Sequence, residues 1–424
     1  MNQKRSWAMG ITILVFLLLS AALVSAGGGQ EQAGVATVNY WAGFTGPDKL
    51  GMQAIVEDFE EANPNVDVEF MTAPWTEVFT KFNATFGSSS APNLMVMHIS
   101  DIPQFADRKM LNAVDGLLAE MGVKEGDYPK PVWQGQHYGG SQYGVPLDYH
   151  PMAVFTNVKM YNAAGLDANM RFTSKDVFLN AMSKLTDGEQ YGVGIGVPHA
   201  HTMRYWYGLL YQAGGSFLNA DQSEAAFNSA AGEKAVQFLA DLVYKYKVAP
   251  VHETDIDRDF LAGTVASLIE GPWWVPGAAE QEGLEFSTVP FPTIFEQKGV
   301  WAGAHTLVLP NQDDKGKKDG AISLMQYIAG NTVAWGAAGQ IPASLAVINS
   351  AEYKALPTYK YFKQFIEQGD YVHFEPVMKA NAEFGADNEL SPVLNAIYGV
   401  VLGESKAAEA MEQAAADVNS ILNK

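Results

Sequence analysis

The chain has 424 residues and no cysteine, with 27 lysine plus arginine against 47 aspartate plus glutamate and 12% aromatic side chains. A formal net charge of −20 repels nucleic acid and anionic lipid, so neither is expected as a partner. Without cysteine there is no disulfide framework, no thiolate metal site and no cysteine for lipid attachment behind a bacterial leader.

Lys4 and Arg5 precede an apolar run from Trp7 to Val24, and Val24-Ser25-Ala26 places small residues at the −3 and −1 positions of a cleavage site. That is the pattern of a secretory signal peptide over 1–26. The rival reading is an uncleaved anchor, since the run sits at the lower length limit for a membrane span. The small-residue site and Gly27-Gly28-Gly29 behind it favour cleavage. The expectation is a periplasmic monomer without stable membrane insertion. Removing 26 residues from 424 leaves 398, room for two domains, and losing Lys4 and Arg5 takes the charge from −20 to −22.

Val35 to Trp41 reads as a strand that ends in a loop holding Gly43 and Gly46-Pro47. Met52, Ile55, Val56 and Phe59 recur at helical spacing, and Asn63-Pro64-Asn65 stops that helix. Val66, Val68 and Phe70 alternate with acids, as in a half-buried strand. Pro74-Trp75 opens a helix with Val78, Phe79, Phe82 and Phe86 inward, closed by Gly87. The apolar run Asn93 to Ile99 reads as a central parallel strand. A second α/β region starts near Met152, with strands over 191–198 and 265–271 and a helix over 232–246. A strand over 301–310, a helix over 320–329 and a tail helix over 405–422 complete the chain. Strand alternating with helix predicts an α/β fold with mainly parallel sheets.

In open α/β sheets ligands sit beyond the carboxyl ends of the strands. Those ends here carry Trp41 and Phe44, then Trp75, then His98 and Asp101, then Asp148 to His150. Taken singly, Trp75 reads as helix-entry packing and His98 as a structural histidine; their recurrence at one topological position is the signal. Catalytic signatures are missing: there is no G-x-S-x-G elbow and no phosphate loop. Gly192-x-Gly194-x-Gly196 leads into Pro198 and reads as a glycine-spaced strand, not a dinucleotide turn. His199-x-His201 supplies half of a metal site without a local third ligand, so no metal and no cofactor is expected. Paired carboxylates for a glycosidase cannot be picked out by any local pattern.

Several stretches together resemble extracellular solute-binding family 1, the sugar-binding components of ABC importers that include the maltodextrin binders. They are "VNYWAGFTG", "FEEANPNVDVEF", "APWTEVFTKFNATFGSSSAPN", "DRKMLNAVDGLL", "YGVPLDYHPMAVFTN", "FLAGTVASLIEGPWWVPG" and "WAGAHTLVLPNQDDKGKKDGAISLMQYIA". Their order and spacing carry the likeness, which covers the chain from Val35 to the tail helix. One departure is Asn93-Leu94, where relatives carry Pro-Asp-Val, at a ligand or structural contact near the cleft.

The resemblance implies two lobes, 35–149 plus 302–349 and 150–301 plus 350–424, hinged at three crossings with ligand in the cleft. It places the crossings at 149–153, 299–302 and 349–351. Trp273 matches the family's stacking tryptophan, with Trp274 turned into its lobe. Trp41, Phe44, His98, Trp206 and Trp301 are further ring candidates, and Asp101, Asp148, His150, Arg204 and His305 the polar ones. Trp206 and Tyr207, at helical spacing, read equally as core. The implied function is sugar capture by hinge closure and delivery to a membrane permease, without catalysis. The alternatives are a phosphorylated polyol such as glycerol-3-phosphate as ligand, or a secreted glycosidase.

Overall fold

The structure, a computed structural model, describes residues 35–251 and 255–424. The predicted signal peptide lies outside the described residues. β1 (Ala36–Ala42) leads into α1 (Gly46–Ala62), whose buried face is Met52, Ile55, Val56 and Phe59, the predicted stripe. β2 (Val66–Thr72) is half-buried, and α2 (Trp75–Thr85) buries Val78 and Phe82. Phe86, expected inward, falls just past the last turn and is 37% exposed. β3 (Leu94–His98) is buried along its length up to His98.

β4 (Asp148–Pro151) passes through Met152 into β5 (Ala153–Asn157). The helices α3 (Ala200–Gln212) and α4 (Ala230–Tyr244) precede β6 (Ser267–Glu270) and β7 (Phe286–Pro290). β8 (Val300–Gly303) and β9 (His305–Pro310) follow, then α5 (Lys315–Gly330) and the tail helix α6 (Ala407–Leu422). The predicted strand over 301–310 is thus broken at Ala304, whose carbonyl accepts from the Ile99 N–H at 3.2 Å.

The first sheet has six strands, ordered β2-β1-β3-β9 at its centre, with α5 packed against β1. β1 is parallel to β2 and β3, while β9 runs antiparallel to β3. The second sheet, β6-β5-β7, is antiparallel throughout. Of the mainly parallel sheets expected from the sequence, the first is therefore mixed and the second antiparallel. The cause is connectivity: the chain leaves one half through β4–β5 and returns through β8–β9, so the returning strands run against their neighbours. The strand expected at 191–198 reduces to single parallel bridges, Tyr191 to Val265 and Gly194 to Leu268. Its three glycines weaken an extended segment, and Gly196 takes a positive φ of 61°.

Between the two sheets lies a third, ordered Ile341–Pro342, β4, β8, Val372–His373. Its middle pair, β4 and β8, leads along the chain into β5 of the second sheet and β9 of the first, with His150 opposite Gly303 in its register. Among the described residues no helix is long and apolar enough to cross a membrane.

Candidate functional site

The connecting sheet forms one wall of a cavity of about 230 Å³. The end of β3 contributes His98, β4 His150, α3 Arg204, β8 Trp301 and β9 His305, while the turn after β6 adds Trp273. A second cavity of about 450 Å³ shares His98, Ser100, Arg204, Glu375 and Asp387 with the first and runs out past Trp75 and Asp101. The two form one cleft.

Small residues seat the rings. The Trp273 indole folds back over Gly271, where any Cβ would collide with it, and meets His150 edge-on at 5.4 Å and His201 at 6.4 Å. Its neighbour Trp274 points away, edge-on to Phe155 at 5.1 Å and Phe260 at 5.6 Å. Trp75 rests on Gly43 and stacks with His305 at 5.5 Å. The Trp301 face is covered by the Arg204 guanidinium at 4.4 Å, and its indole N–H donates to Glu375 at 3.0 Å.

Three expected ring contacts lie elsewhere. Trp206 is fully buried, donates to the Gly232 carbonyl and packs against Phe217 and Phe227. It shares its helix with Arg204 but projects to the opposite side, so helical spacing put it in the core. Trp41 is 4% exposed beneath Lys81, and Phe44 is 2% exposed, wedged against Trp335 at 4.5 Å. Neither lines either cavity. The Asn93 departure is structural: its side chain accepts from the Asn39 N–H and donates to Gln312.

Asp148 is also withdrawn from the cleft, fully buried behind the histidines. Its Oδ1 accepts from the His305 backbone N–H at 2.9 Å and faces His150 Nδ1 at 3.2 Å. Its Oδ2 faces His305 Nδ1 at 2.7 Å and accepts from the Trp335 indole at 2.8 Å. Burial alone would raise its pKa, but His305 and His150 hold it well below the usual carboxylate range. Burial pushes the His150 imidazole down to about 4 and lowers that of His305, against the pull of Asp148. For His98 burial also acts downward, but the Asp101 carboxylate, 3.4 Å away, outweighs it and the pKa is raised.

Arg204 is held by α3. His199 caps that helix, its Nδ1 accepting from the His201 N–H. His201 Nε2 meets Glu270 at 2.5 Å, and its Nδ1 takes a guanidinium N–H of Arg204 at 3.3 Å. Both ring nitrogens are thus occupied, which leaves His199-x-His201 unsuited to a metal. The other guanidinium arm pairs with Asp387. Asp148, His150 and His305 also bring potential ligand atoms within 4.8 Å of one another. Around Asp148 both imidazoles, the Trp335 indole and the His305 backbone N–H take up its two oxygens.

The sequence reading missed Asp48, Gln340, Phe374, Glu375 and Asp387, all on the cavity wall. Asp48 opens α1 just beyond β1, so the strand-end argument could have reached it. The others come from segments without a motif. Burial and the nearby Asp148 charge push the Asp48 carboxyl up to about 7, against a hydrogen bond from Gln340. Burial, with Asp387 nearby, raises that of Glu375. Gln340 Oε1, Arg204 Nε and Asn381 Oδ1 are buried without a partner, and buried polar atoms left bare around a cleft point to a polar ligand.

A ring-lined cleft between two α/β halves joined by a strap of crossing strands defines a two-lobed binding protein. Residues 54–361 match the family described as bacterial extracellular solute-binding protein, and the chain belongs to that family. A Brucella abortus relative described as a binding protein is 21% identical over 99% of each chain. Among solved structures, the cyclic α-maltosyl-1,6-maltose binding protein of Arthrobacter globiformis superposes with a TM-score of 0.79 at 22% identity, covering 92% of this chain and 99% of that one. UgpB of Mycobacterium tuberculosis, in complex with glycerophosphocholine, gives 0.78 at 18% identity, with 92% and 99% covered.

Proposed function

We propose that this protein captures a neutral sugar in the cleft and hands it, by closure of its two lobes, to an ABC transporter permease. The observation that carries the reading is the pairing of the Trp273 ring with a polar wall on which Asp387 offsets the Arg204 charge. A flat aromatic face suits the C–H patches of a sugar ring, and the polar side chains of Gln340, Glu375 and Asp387 on the wall suit its hydroxyls. Arg204 is the one permanent cation on the wall, and Asp387 neutralises it, which favours a neutral sugar over a phosphorylated polyol. A structural relative described as a cyclic α-maltosyl-1,6-maltose binding protein supports the same reading. The chemistry required is binding, with the ligand's bonds left intact. The lobes are 35–149 plus 302–349 and 150–301 plus 350–424, and export depends on cleavage after Ala26.

Calorimetric titration with glucose, maltose, maltotriose and glycerol-3-phosphate tests the reading. The expected result is micromolar or tighter affinity for at least one neutral sugar and none for the phosphate, with the sugar recovered unchanged. Binding of glycerol-3-phosphate alone, or release of cleaved sugar, would overturn it.

A further inference from the structure

We propose that Asp148 is a positioning residue that fixes His150 and His305 as tautomers protonated at Nδ1, so that their Nε2 atoms read hydroxyl hydrogens of the ligand. The Nδ1 protons follow from geometry and the bare Nε2 atoms from burial of the rings; that the reader is aimed at hydroxyls rests on the sugar reading above.

A carboxylate only accepts hydrogen bonds, so every nitrogen in contact with it must present a proton. Asp148 meets Nδ1 of both His150 and His305, and the Trp335 indole and the His305 backbone N–H complete its set. The Nδ1 protons are thereby assigned. Whether Nε2 carries a second proton depends on charge. The two rings lie 4.8 Å apart and are 5% and 6% exposed, so a pair of imidazolium ions there would repel in a weakly screened site. One carboxylate can offset one such charge at most. Burial also holds both imidazoles below their ordinary pKa, so at pH 7 each ring carries a single proton, on the side facing Asp148, and its Nε2 is a bare acceptor. Neither Nε2 has a hydrogen-bond partner among the described residues, and both histidines line the cavity.

The backbone protects this arrangement. Gly303 lies opposite His150 in the connecting sheet, and a Cβ at 303 would run into the imidazole. The sequence reading took Asp148 as a direct ligand contact. Its role is instead one layer deeper, and it converts two ambivalent rings into two acceptors. A ligand satisfying this wall must bring O–H donors, and an analogue that can only accept must lose affinity.

Two measurements on the full chain test the inference. Long-range proton–nitrogen correlation spectra of the ¹⁵N-labelled protein at pH 7 should show two histidines protonated at Nδ1 and bare at Nε2, and in D148N, whose amide keeps one acceptor oxygen and makes the other position a donor, at least one should lose that signature. Singly deoxyfluorinated analogues of the best neutral sugar replace a hydroxyl by a group that accepts but does not donate. At one or more positions the wild type should lose at least ten-fold in affinity, and D148N should bind the parent sugar at least ten-fold more weakly with the discrimination flattened. Nε2-protonated rings in the wild type would overturn the proposal, as would a D148N protein that keeps both signatures or an analogue series without a loss. Should D148N fail to fold, the wild-type spectra and the analogue series decide the matter between them. Should no sugar bind at all, the spectra still decide the tautomers, so failure of the sugar reading remains distinguishable.

Discussion

Trp273 and Trp274 share a turn and differ in what lies beneath them: a glycine and the cleft for one, Phe155 and Phe260 for the other. Their truncations should separate accordingly. Trp273→Ala removes a ring face from the ligand and should weaken binding by roughly ten- to a hundred-fold, about 1.4–2.8 kcal/mol, with little change in melting temperature. Trp274→Ala opens a hole among packed aromatics and should destabilise by about 3 kcal/mol while affinity holds. Calorimetry and thermal melts on both variants check the crossed pattern; a common loss of both properties would refute it. Asp48 gives a prediction in pH. Its carboxyl, raised from 3.8 to about 7, binds a proton more readily in the folded state. Its contribution to stability is therefore full below about pH 4 and lost as pH rises through about 7. Asp48→Asn removes that loss, so the variant should gain over wild type between pH 5 and pH 8 by on the order of 3 kcal/mol. Denaturant melts at pH 4.5 and pH 8 would show a much larger gain at the higher value.

At the scale of elements, periodicity was a good guide to what each segment is and a poor one to what each segment faces. The stripe of α1 emerged as read, because an amphipathic helix has one apolar side to bury. In α3 nearly every residue is buried, so apolar spacing carries no direction, and Trp206 and Arg204 could not be assigned to opposite sides from the sequence. Strand direction was equally hidden: β9 reads as a buried run whether it pairs parallel or antiparallel, and only the crossing through β8 decides. On the cavity wall His98 and His150 were legible because strand ends point at clefts, while Arg204, Trp273, Trp301 and His305 came from the family resemblance. Glu375 and Asp387 sit in irregular segments that only tertiary packing brings to the cleft. Anchored on α3, the chain Glu270–His201–Arg204–Asp387 makes a prediction of its own. A planar guanidinium can bond His201, bond Asp387 and cover Trp301 at once, and an ammonium cannot. Arg204→Lys should therefore cost about ten-fold or more in sugar affinity despite conserving charge, an effect that equal titrations of variant and wild type would reveal or deny.

For the whole molecule, the connecting sheet sets what motion is available. β4 and β8 are hydrogen-bonded to each other where they pass between the halves, so the two crossings must bend together and not slide independently. A strap of paired strands under the cleft favours rotation of one lobe over the other, the hinge mode of closure. The cleft wall draws on both proposed lobes, with His98 and His305 from one and Arg204 and Trp273 from the other, so a ligand touching both gains contacts only when they approach. Such a ligand binds the closed form more tightly and shifts the population toward it. The absence of cysteine makes this measurable without background labelling. Leu50 on α1 is 68% exposed and Leu390 is 84% exposed, one on each proposed lobe and neither on the cavity wall. A Leu50→Cys, Leu390→Cys protein carrying a donor–acceptor dye pair should show energy transfer that changes with sugar and saturates at the calorimetric affinity. In Trp273→Ala the same change should need roughly ten- to a hundred-fold more sugar, because the ring contributes to the closed state. Transfer that stays constant while heat of binding is recorded would mean a rigid cleft, and the coupling of capture to permease docking would then need a different physical basis.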